Sequence, residues 1–225
     1  MIVLLNIETA TKNCSVSLSV DGVAVGVKEI AEENFSHAEK LHVFIEALLK
    51  ENGFTMQDLS AIAVSQGPGS YTGLRIGVSA VKGLCYGLNI PMIALDTLQI
   101  LAKQLQVKEG WIIPMIDARR MEVFCATFSH EGKFDKAIEA KVIDEASFAE
   151  LKGDYPVYFI GDGAMKCADV LKAANFHFCE TIVYPSAKEM IPLSYEKYIA
   201  QDFVDVAYFE PYYLKDFVMP TKQQK

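Results

Sequence analysis

The chain has 225 residues, of which 51% are hydrophobic and 22% charged, and its formal net charge is −8. This composition excludes a disordered chain and allows one large domain or two small ones around a substantial core. An acidic chain is a poor binder of nucleic acid by itself, because contacts to phosphates need clustered lysine and arginine. If the function involves RNA, we expect a partner to supply the basic surface.

The N-terminal residues and the cysteines predict a cytoplasmic protein. The first apolar run ends at Asn6, has no basic leader or small-residue cleavage site, and is too short to span a membrane. The five cysteines are scattered without a Cys-x-x-Cys pair, which is typical of reduced, buried thiols in a cytosol. We therefore expect a cytoplasmic location and no membrane contact.

In chain order, the first half predicts three strands and then alternating helices and strands. The alternating segments CSVSLSV and VAVGVKEI are joined by an Asp21-Gly22 turn. A helix begins at Ser36, which forms a capping box with Glu39, and it ends at Asn52-Gly53. The strands SAIAVSQ and PMIALD follow, separated by a GPG loop and a glycine-rich helix. Another helix after PMIALD runs to about Lys103.

The second half repeats the first. WIIPMIDAR is an apolar strand that ends in an acid, MEVFCATFS alternates, and a turn comes at Gly132. Glu8 and Asp117 are about 109 positions apart, and Gly22 and Gly132 about 110. Two landmarks at nearly equal offsets indicate an internal duplication. We predict an N-terminal lobe over residues 1–106 and a C-terminal lobe over residues 107–225.

The remainder of the second half predicts a further strand and two helices. VYFI is a strand, GDGA a glycine loop and MKCADVLKAA a helix, which repeats the strand, glycine loop and helix of the first half. Ser186 caps a last helix, which Pro192 should kink or divide. FVDVAYFEPYYL closes the chain as an extended segment. Alternating strands and helices favour an α/β fold with a mixed sheet in each lobe.

The glycine loop GPGSYTG allows two interpretations. Backbone amides at a helix N-terminus attract anions, so the loop could bind a phosphate, although neither the P-loop nor the dinucleotide spacing is present. Alternatively, Gly69, Gly73 and Gly77 recur every four residues and provide a small-residue face for close packing within the chain or at an interface. Gly83 and Gly87 form a second such pair.

The acids at the strand ends also allow two interpretations. Glu8 and Asp117 could face each other across a cleft and hold Mg²⁺ on a nucleotide, or each could cap its own tight turn. Arg119 and Arg120, next to Asp117, could neutralise it and weaken a metal role.

The histidines do not predict a metal site. His37 and His42 lie on one predicted helix but are five residues apart. At 3.6 residues per turn, their side chains diverge by roughly 140°. A zinc pair on a helix needs a spacing of four. We therefore expect no bound metal.

Several motifs together resemble a known family. They are NIETAT, CSVSL, FSHAEKL, GPGSYTGLRIG, PMIDARRMEVF, GDGA and PYYL. The chain is similar, from residue 1 to about residue 215, to the TsaB (YeaZ) family, the non-catalytic subunit of the bacterial tRNA threonylcarbamoyladenosine synthase. GPGSYTGLRIG and PMIDAR-x-EV together are specific, whereas NIETAT alone would be weak.

This resemblance implies a fold, partners and a reaction. The fold is a duplicated ribonuclease H-like fold of the actin/Hsp70/sugar-kinase (ASKHA) superfamily. The partners are the Gcp-like catalytic subunit TsaD and the ATPase TsaE, which together modify N6 of adenosine 37 in tRNAs that read ANN codons. The catalytic subunit carries metal-binding histidines just after the strand that follows the GPG helix, where this chain has Ala94–Ala102 and no histidine.

The resemblance also implies an assembly and a site. The family forms a homodimer when alone, meets tRNA only through the complex, and has no tightly bound cofactor, with any ATP or ADP and Mg²⁺ entering at the complex level. The partner surface lies on the helices over 36–51 and 71–88. Its candidate residues are His37, Leu41, Ile45, Tyr71, Gly73, Leu74, Gly77, Val78 and Val81. The candidate nucleotide cleft comprises Glu8, Thr9, Gly67, Gly69, Asp117, Gly161 and Gly163.

The sequence differs from the family at two positions, and two alternative functions are considered. Relatives usually have Asp at the position of Glu8, whose longer carboxylate would reach differently toward a cleft nucleotide and argues against nucleotide binding. The change from Arg to Lys215 at the end of the motif is milder. The first alternative is an independent ATP-dependent small-molecule kinase of the same fold, with the acids and glycine loops as its cleft. The second is a metalloprotease, against which no His-Glu-x-x-His motif is present.

Overall fold

The computed structural model describes residues 1–31 and 37–215. The predicted cap at Ser36, and with it the capping box, lies outside the described residues. The strands are β1 (Val3–Glu8), β2 (Cys14–Val20), β3 (Val23–Ile30), β4 (Ala61–Gly67), β5 (Met92–Asp96), β6 (Trp111–Asp117), β7 (Glu122–Ser129), β8 (Phe134–Val142), β9 (Val157–Ile160) and β10 (Phe176–Phe178). The α-helices are α1 (His37–Glu51), α2 (Tyr71–Leu88), α3 (Thr97–Ala102) and α4 (Ala187–Ile199).

The ten strands form two sheets of the same design. The first sheet has the order β3-β2-β1-β4-β5, and the second has the equivalent order β8-β7-β6-β9-β10. In each sheet three strands form an antiparallel meander and two more run parallel to its first strand. Both meanders turn through a glycine with φ of +80°, at Gly22 and Gly132. This order is that of a duplicated ribonuclease H-like fold, and the predicted duplication is confirmed.

The first sheet is covered by helices on both faces. On one face, α1 and α2 pack against the strands through a large apolar cluster that includes Leu41, Ile45 and Val81. On the other face, α4 contributes Ala187, Met190 and Leu193. The helix α3 lies between the two sheets, since its leucines join the cluster formed by β6 and β7. The lobes therefore share buried surface, and α4, although it comes late in the chain, belongs to the core of the first sheet.

The structure differs from the prediction in two helices. The segment MKCADVLKAA forms only a 3₁₀ turn at Met165–Cys167, in which successive amides donate to carbonyls three residues back. The Lys166 ammonium in this turn is bonded to Asp117 and to the Glu122 carbonyl. Pro192 does not divide α4, which is one helix from Ala187 to Ile199 with the predicted N-cap at Ser186.

The C-terminal segment, residues 203–215, crosses both lobes. Val204 forms a single β-bridge with Met92 at the edge of the first sheet. The Tyr212 amide donates a 2.7 Å hydrogen bond to the carbonyl of Gln66, next to the GPG loop. Lys215 then forms an ion pair with Glu122 on β7. The predicted extended segment is thus largely irregular in structure and is held by contacts at both ends.

Among the helices of residues 1–31 and 37–215, none combines the length and the apolar character needed to cross a lipid bilayer.

Candidate partner surface and interlobe cleft

Glu8 lies at the carboxyl end of β1 and is fully buried. Its Oε1 accepts a hydrogen bond of 2.5 Å from the amide of Ala10, two residues on. Burial raises the pKa of Glu8 to about 7, against the opposing effects of the Ala10 amide and the Ser65 hydroxyl. The carboxyl group therefore caps its own turn, which is one of the two roles expected for it.

Glu8→Gln should raise the free energy of unfolding by about 2 kcal/mol at pH 8 and change it little at pH 5. Because the pKa of Glu8 is higher in the folded than in the unfolded chain, the folded state holds an extra proton between pH 4.5 and about 7. The stability that this proton supplies is lost as the pH rises through about 7. Glutamine can still accept the amide hydrogen bond but has no charge to desolvate.

Urea unfolding of both proteins at the two pH values measures this effect. Glu46→Gln is the matched control, because Glu46 is exposed on α1. An unchanged pH dependence in Glu8→Gln would contradict the assignment of the raised pKa to this carboxyl group.

Asp117 occupies the equivalent position in the second lobe, at the end of β6, but is exposed. Its Oδ1 accepts a 2.9 Å hydrogen bond from the Arg119 amide, again two residues on. It also forms an ion pair with Lys166. Although partial burial opposes the shift, the Lys166 ammonium and the nearby Arg119 hold the pKa of Asp117 below its usual value. The negative charge of Asp117 is therefore neutralised as expected, but mainly by Lys166 rather than by the neighbouring arginines.

The GPG loop is occupied by the chain itself. The Gly67 amide donates to Thr97 Oγ1 at 3.1 Å, and the Ser70 amide donates to the Ala10 carbonyl at 2.7 Å. A methyl group on Gly69 would overlap the same carbonyl oxygen. Both amides are thus unavailable to a phosphate, and the geometry favours the packing interpretation of the loop.

The first glycine face of α2 packs against the β1–β2 turn. Thr9, buried in that turn, donates from Oγ1 to the carbonyl of Gly73 at 2.8 Å. A methyl group on Gly73 would overlap the Thr9 carbonyl oxygen, and one on Gly77 would overlap its hydroxyl. These glycines therefore allow a close approach within the chain rather than between two chains.

The GDG loop of the second lobe closes on β6 in a similar way. The Gly163 amide donates to the Met115 carbonyl at 3.0 Å, and a methyl group on Gly161 would overlap that carbonyl oxygen. Asp162 Oδ1 accepts the amide of Asp117 at 2.9 Å. The candidate cleft residues thus form two equivalent clusters, one at the carboxyl end of each sheet. Nucleotide binding there stays a prediction.

Most residues predicted for the partner surface lie inside this chain. The seven buried ones are Leu41, Ile45, Gly73, Leu74, Gly77, Val78 and Val81. Because they face the first sheet or the β1–β2 turn, they cannot contact another protein, and this part of the site prediction is corrected. His37 and Tyr71 are half-buried at the helix starts, with His37 Nε2 2.8 Å from the Thr11 carbonyl and the Tyr71 ring 4.8 Å from that of Tyr213.

The opposite faces of the same two helices are exposed. This outer helix face comprises His42, Val43 and Glu46 of α1, and Ser79, Gly83, Tyr86 and Gly87 of α2. Tyr86 is 84% exposed and Val43 58%, and a methyl group on Gly83 or Gly87 would meet no atom within 4 Å. The helical period offered a signal for this surface, because residues 79, 83 and 86 lie opposite the buried stripe.

Within the part of the chain that the structure describes, no group of three or more His, Cys, Asp or Glu side chains is placed to hold a metal ion. The prediction that no metal binds stays a prediction.

The chain is similar to proteins of one family along nearly its whole length. A family model described as "TsaD: tRNA N6-adenosine threonylcarbamoyltransferase" matches residues 29–221. The tRNA threonylcarbamoyladenosine biosynthesis protein TsaB of Escherichia coli (strain K12) is 29% identical over 224 residues, covering 96% of this chain and 95% of that protein. TsaB of Bacillus subtilis (strain 168) is 30% identical over 219 residues, covering 94% and 93%.

Solved structures agree with the sequence comparison. The structure of YeaZ from Pseudomonas aeruginosa is 26% identical and superposes with a TM-score of 0.81, covering 95% of this chain and all of the YeaZ chain. The similarity therefore includes both lobes and the C-terminal segment, rather than one lobe alone.

Proposed function

Because this chain belongs to the TsaB (YeaZ) family, we propose that it is the non-catalytic subunit of a complex that forms N6-threonylcarbamoyladenosine at position 37 of tRNAs that read ANN codons. It pairs with the Gcp-like catalytic subunit TsaD, and the ATPase TsaE joins the assembly. The observation that carries this proposal is the match to TsaB proteins over more than nine-tenths of both chains.

A scaffold role, rather than catalysis, is supported by the segment after the GPG helix. The family model that matches carries the name of the transferase, so the two roles need to be separated. The resemblance places metal-binding histidines of the catalytic subunit in this segment, but Ala94–Ala102 contains none. The segment instead forms the end of β5 and all of α3, with Leu98, Ile100 and Leu101 buried. It contributes to the core and contains no histidine that could act as a ligand there.

The outer helix face is the best candidate for the contact with the catalytic subunit. Exposed apolar side chains beside glycines allow another helix pair to approach closely. Tyr86 combines a large apolar ring with a polar hydroxyl, which suits an interface anchor. A homodimer of the chain alone uses the same self-complementary surface.

The remaining parts of the proposal concern cofactor and location. No cofactor binds tightly to this subunit, and ATP or ADP with Mg²⁺ enters at the level of the complex. All five cysteines are free thiols, which supports a cytoplasmic location. The alternative, an independent ATP-dependent kinase, is disfavoured because Glu8 is fully buried and caps its own turn. Magnesium-dependent ATP turnover by the purified chain would revive it.

Size-exclusion chromatography with light scattering tests the proposal. The chain is measured alone and mixed with the catalytic subunit of its own host. We expect a homodimer that gives way to a stable heterodimer. A chain that stays unchanged in the presence of that subunit would refute the scaffold role.

A further inference from the structure

The tip of the β6–β7 hairpin has an unusual backbone for its sequence. Arg119 and Arg120 both adopt the left-handed conformation, with φ of +74° and +52°. The Ala118 amide donates to the Glu122 carbonyl, so both arginines lie in a three-residue loop, in the left-handed region that glycine and asparagine favour. Side chains such as arginine are disfavoured there, and non-glycine residues held in this region often mark functional sites. These two positions nevertheless hold two of the three arginines of the 225-residue chain.

Both arginines are exposed, and Arg119 acts on Asp117 through space, beside the directly bonded Lys166. Within residues 1–31 and 37–215, neither guanidinium forms an ion pair with a carboxylate. The two acids that flank the tip are already paired with lysines, Asp117 with Lys166 and Glu122 with Lys215. Within the described residues, the hairpin therefore presents two guanidinium groups that form no ion pair, on a chain whose net charge is −8.

A third basic group lies near this end of the sheet. Lys12, in the β1–β2 turn of the first lobe, acts electrostatically on Asp162 in the GDG loop. Asp162 in turn accepts the amide of Asp117, two residues before Arg119. Basic side chains of both lobes thus lie near the acids at this end of the second sheet.

We propose that Arg119 and Arg120 contact backbone phosphates of the tRNA when the chain is in its complex, an inference that rests on the proposed function. The guanidinium group matches phosphate oxygens in a bidentate manner, which lysine cannot do. A narrow, protruding hairpin reaches a phosphate backbone without a broad basic surface. A local positive site on an acidic chain also orients a polyanion towards that site alone. Most of the affinity still comes from the catalytic partner.

The double variant R119N/R120G tests the proposal. Asparagine and glycine adopt positive φ at a lower cost than arginine, so we expect the midpoint of thermal unfolding not to fall, and loss of folding cannot explain a loss of binding. The complex of the chain with its catalytic subunit is titrated with an unmodified transcript of a tRNA that reads ANN codons. We expect about tenfold weaker binding at low salt, and a slope of log K against log salt that is smaller by about 1.5.

The matched control is K108A/K172A, which removes two positive charges at the opposite end of the second sheet, where β6 and β10 begin. Both lysines are exposed and precede the starts of β6 and β10. We expect this control to bind tRNA like the wild type. Equal affinities and salt slopes for the two double variants would overturn the inference.

Two other results would also overturn the inference, and the experiment distinguishes them from each other. If R119N/R120G loses the catalytic subunit, as seen by light scattering of the same samples, the arginines contact acidic groups of that protein rather than RNA. If the wild-type chain forms no complex, the proposed function fails and the inference fails with it. Binding of tRNA that is lost only in R119N/R120G, with the complex intact, supports it.

Discussion

Gly73→Ala is expected to lower the free energy of unfolding by about 3 kcal/mol, although alanine is the better helix former. The added methyl group would overlap the carbonyl oxygen of Thr9. That oxygen belongs to the backbone at the end of β1, and the Thr9 hydroxyl is itself bonded to the Gly73 carbonyl. Neither β1 nor α2 can move away without opening the apolar cluster that both line. Urea unfolding at pH 7, followed by circular dichroism, measures the change.

Gly83→Ala in the same helix provides the control. Its methyl group would meet no atom within 4 Å, so only the helix propensity changes. We expect the free energy of unfolding to rise by about 0.5 to 1 kcal/mol. Shifts of the same sign and size in both variants would show that the contact with Thr9 is not what restricts position 73.

Tyr86→Ala is expected to weaken binding of the catalytic subunit about 30-fold or more, because aromatic anchors at protein interfaces contribute about 2 kcal/mol or more. The side chain is 84% exposed in the chain alone, so its removal leaves the core intact. Binding is measured by isothermal titration calorimetry, with thermal unfolding of each variant as a check of the fold.

Tyr155→Ala is the matched control for this experiment. Tyr155 is 63% exposed and lies just before β9 in the second lobe, away from the outer helix face. We expect it to bind like the wild type. Wild-type affinity in Tyr86→Ala would exclude the outer helix face around Tyr86 as the contact.

Local signals in the sequence were sufficient for most of the fold. The Asp21-Gly22 turn, the alternating strands and the Ser186 cap each depend on nearby residues, and the structure confirms them. The duplication was readable because Glu8 and Asp117 end equivalent strands. In contrast, MKCADVLKAA mixes good helix formers with Cys167, Asp169 and Val170, and it forms only a 3₁₀ turn whose Lys166 is bonded to Asp117 and to the Glu122 carbonyl.

The candidate partner surface shows where the sequence was insufficient. An apolar stripe such as Leu74, Val78 and Val81 indicates that one face of a helix is buried, but not whether the chain itself or another protein covers it. The same holds for Gly73 and Gly77. Their spacing indicates that another segment packs closely against the helix, but not which segment. Only the structure identifies that neighbour as the β1–β2 turn.

The tertiary contacts of the C-terminal segment had no local signal in the sequence. Lys82 on α2 donates hydrogen bonds to the carbonyls of Ala207 and Phe209, partners that are more than a hundred residues away in the sequence. The C-terminal segment also covers the GPG loop, where the Tyr212 amide donates to the Gln66 carbonyl. Residue patterns could therefore not predict this contact.

The position of α4 sets the order in which a nascent chain can mature on the ribosome. The face of the first sheet that contains Leu4, Ala63 and Ile93 stays uncovered until residues 187–199 have emerged. The N-terminal lobe, although synthesised first, therefore cannot complete its core until α4 has emerged. During most of translation it presents an apolar face that a ribosome-associated chaperone could recognise and shield from aggregation.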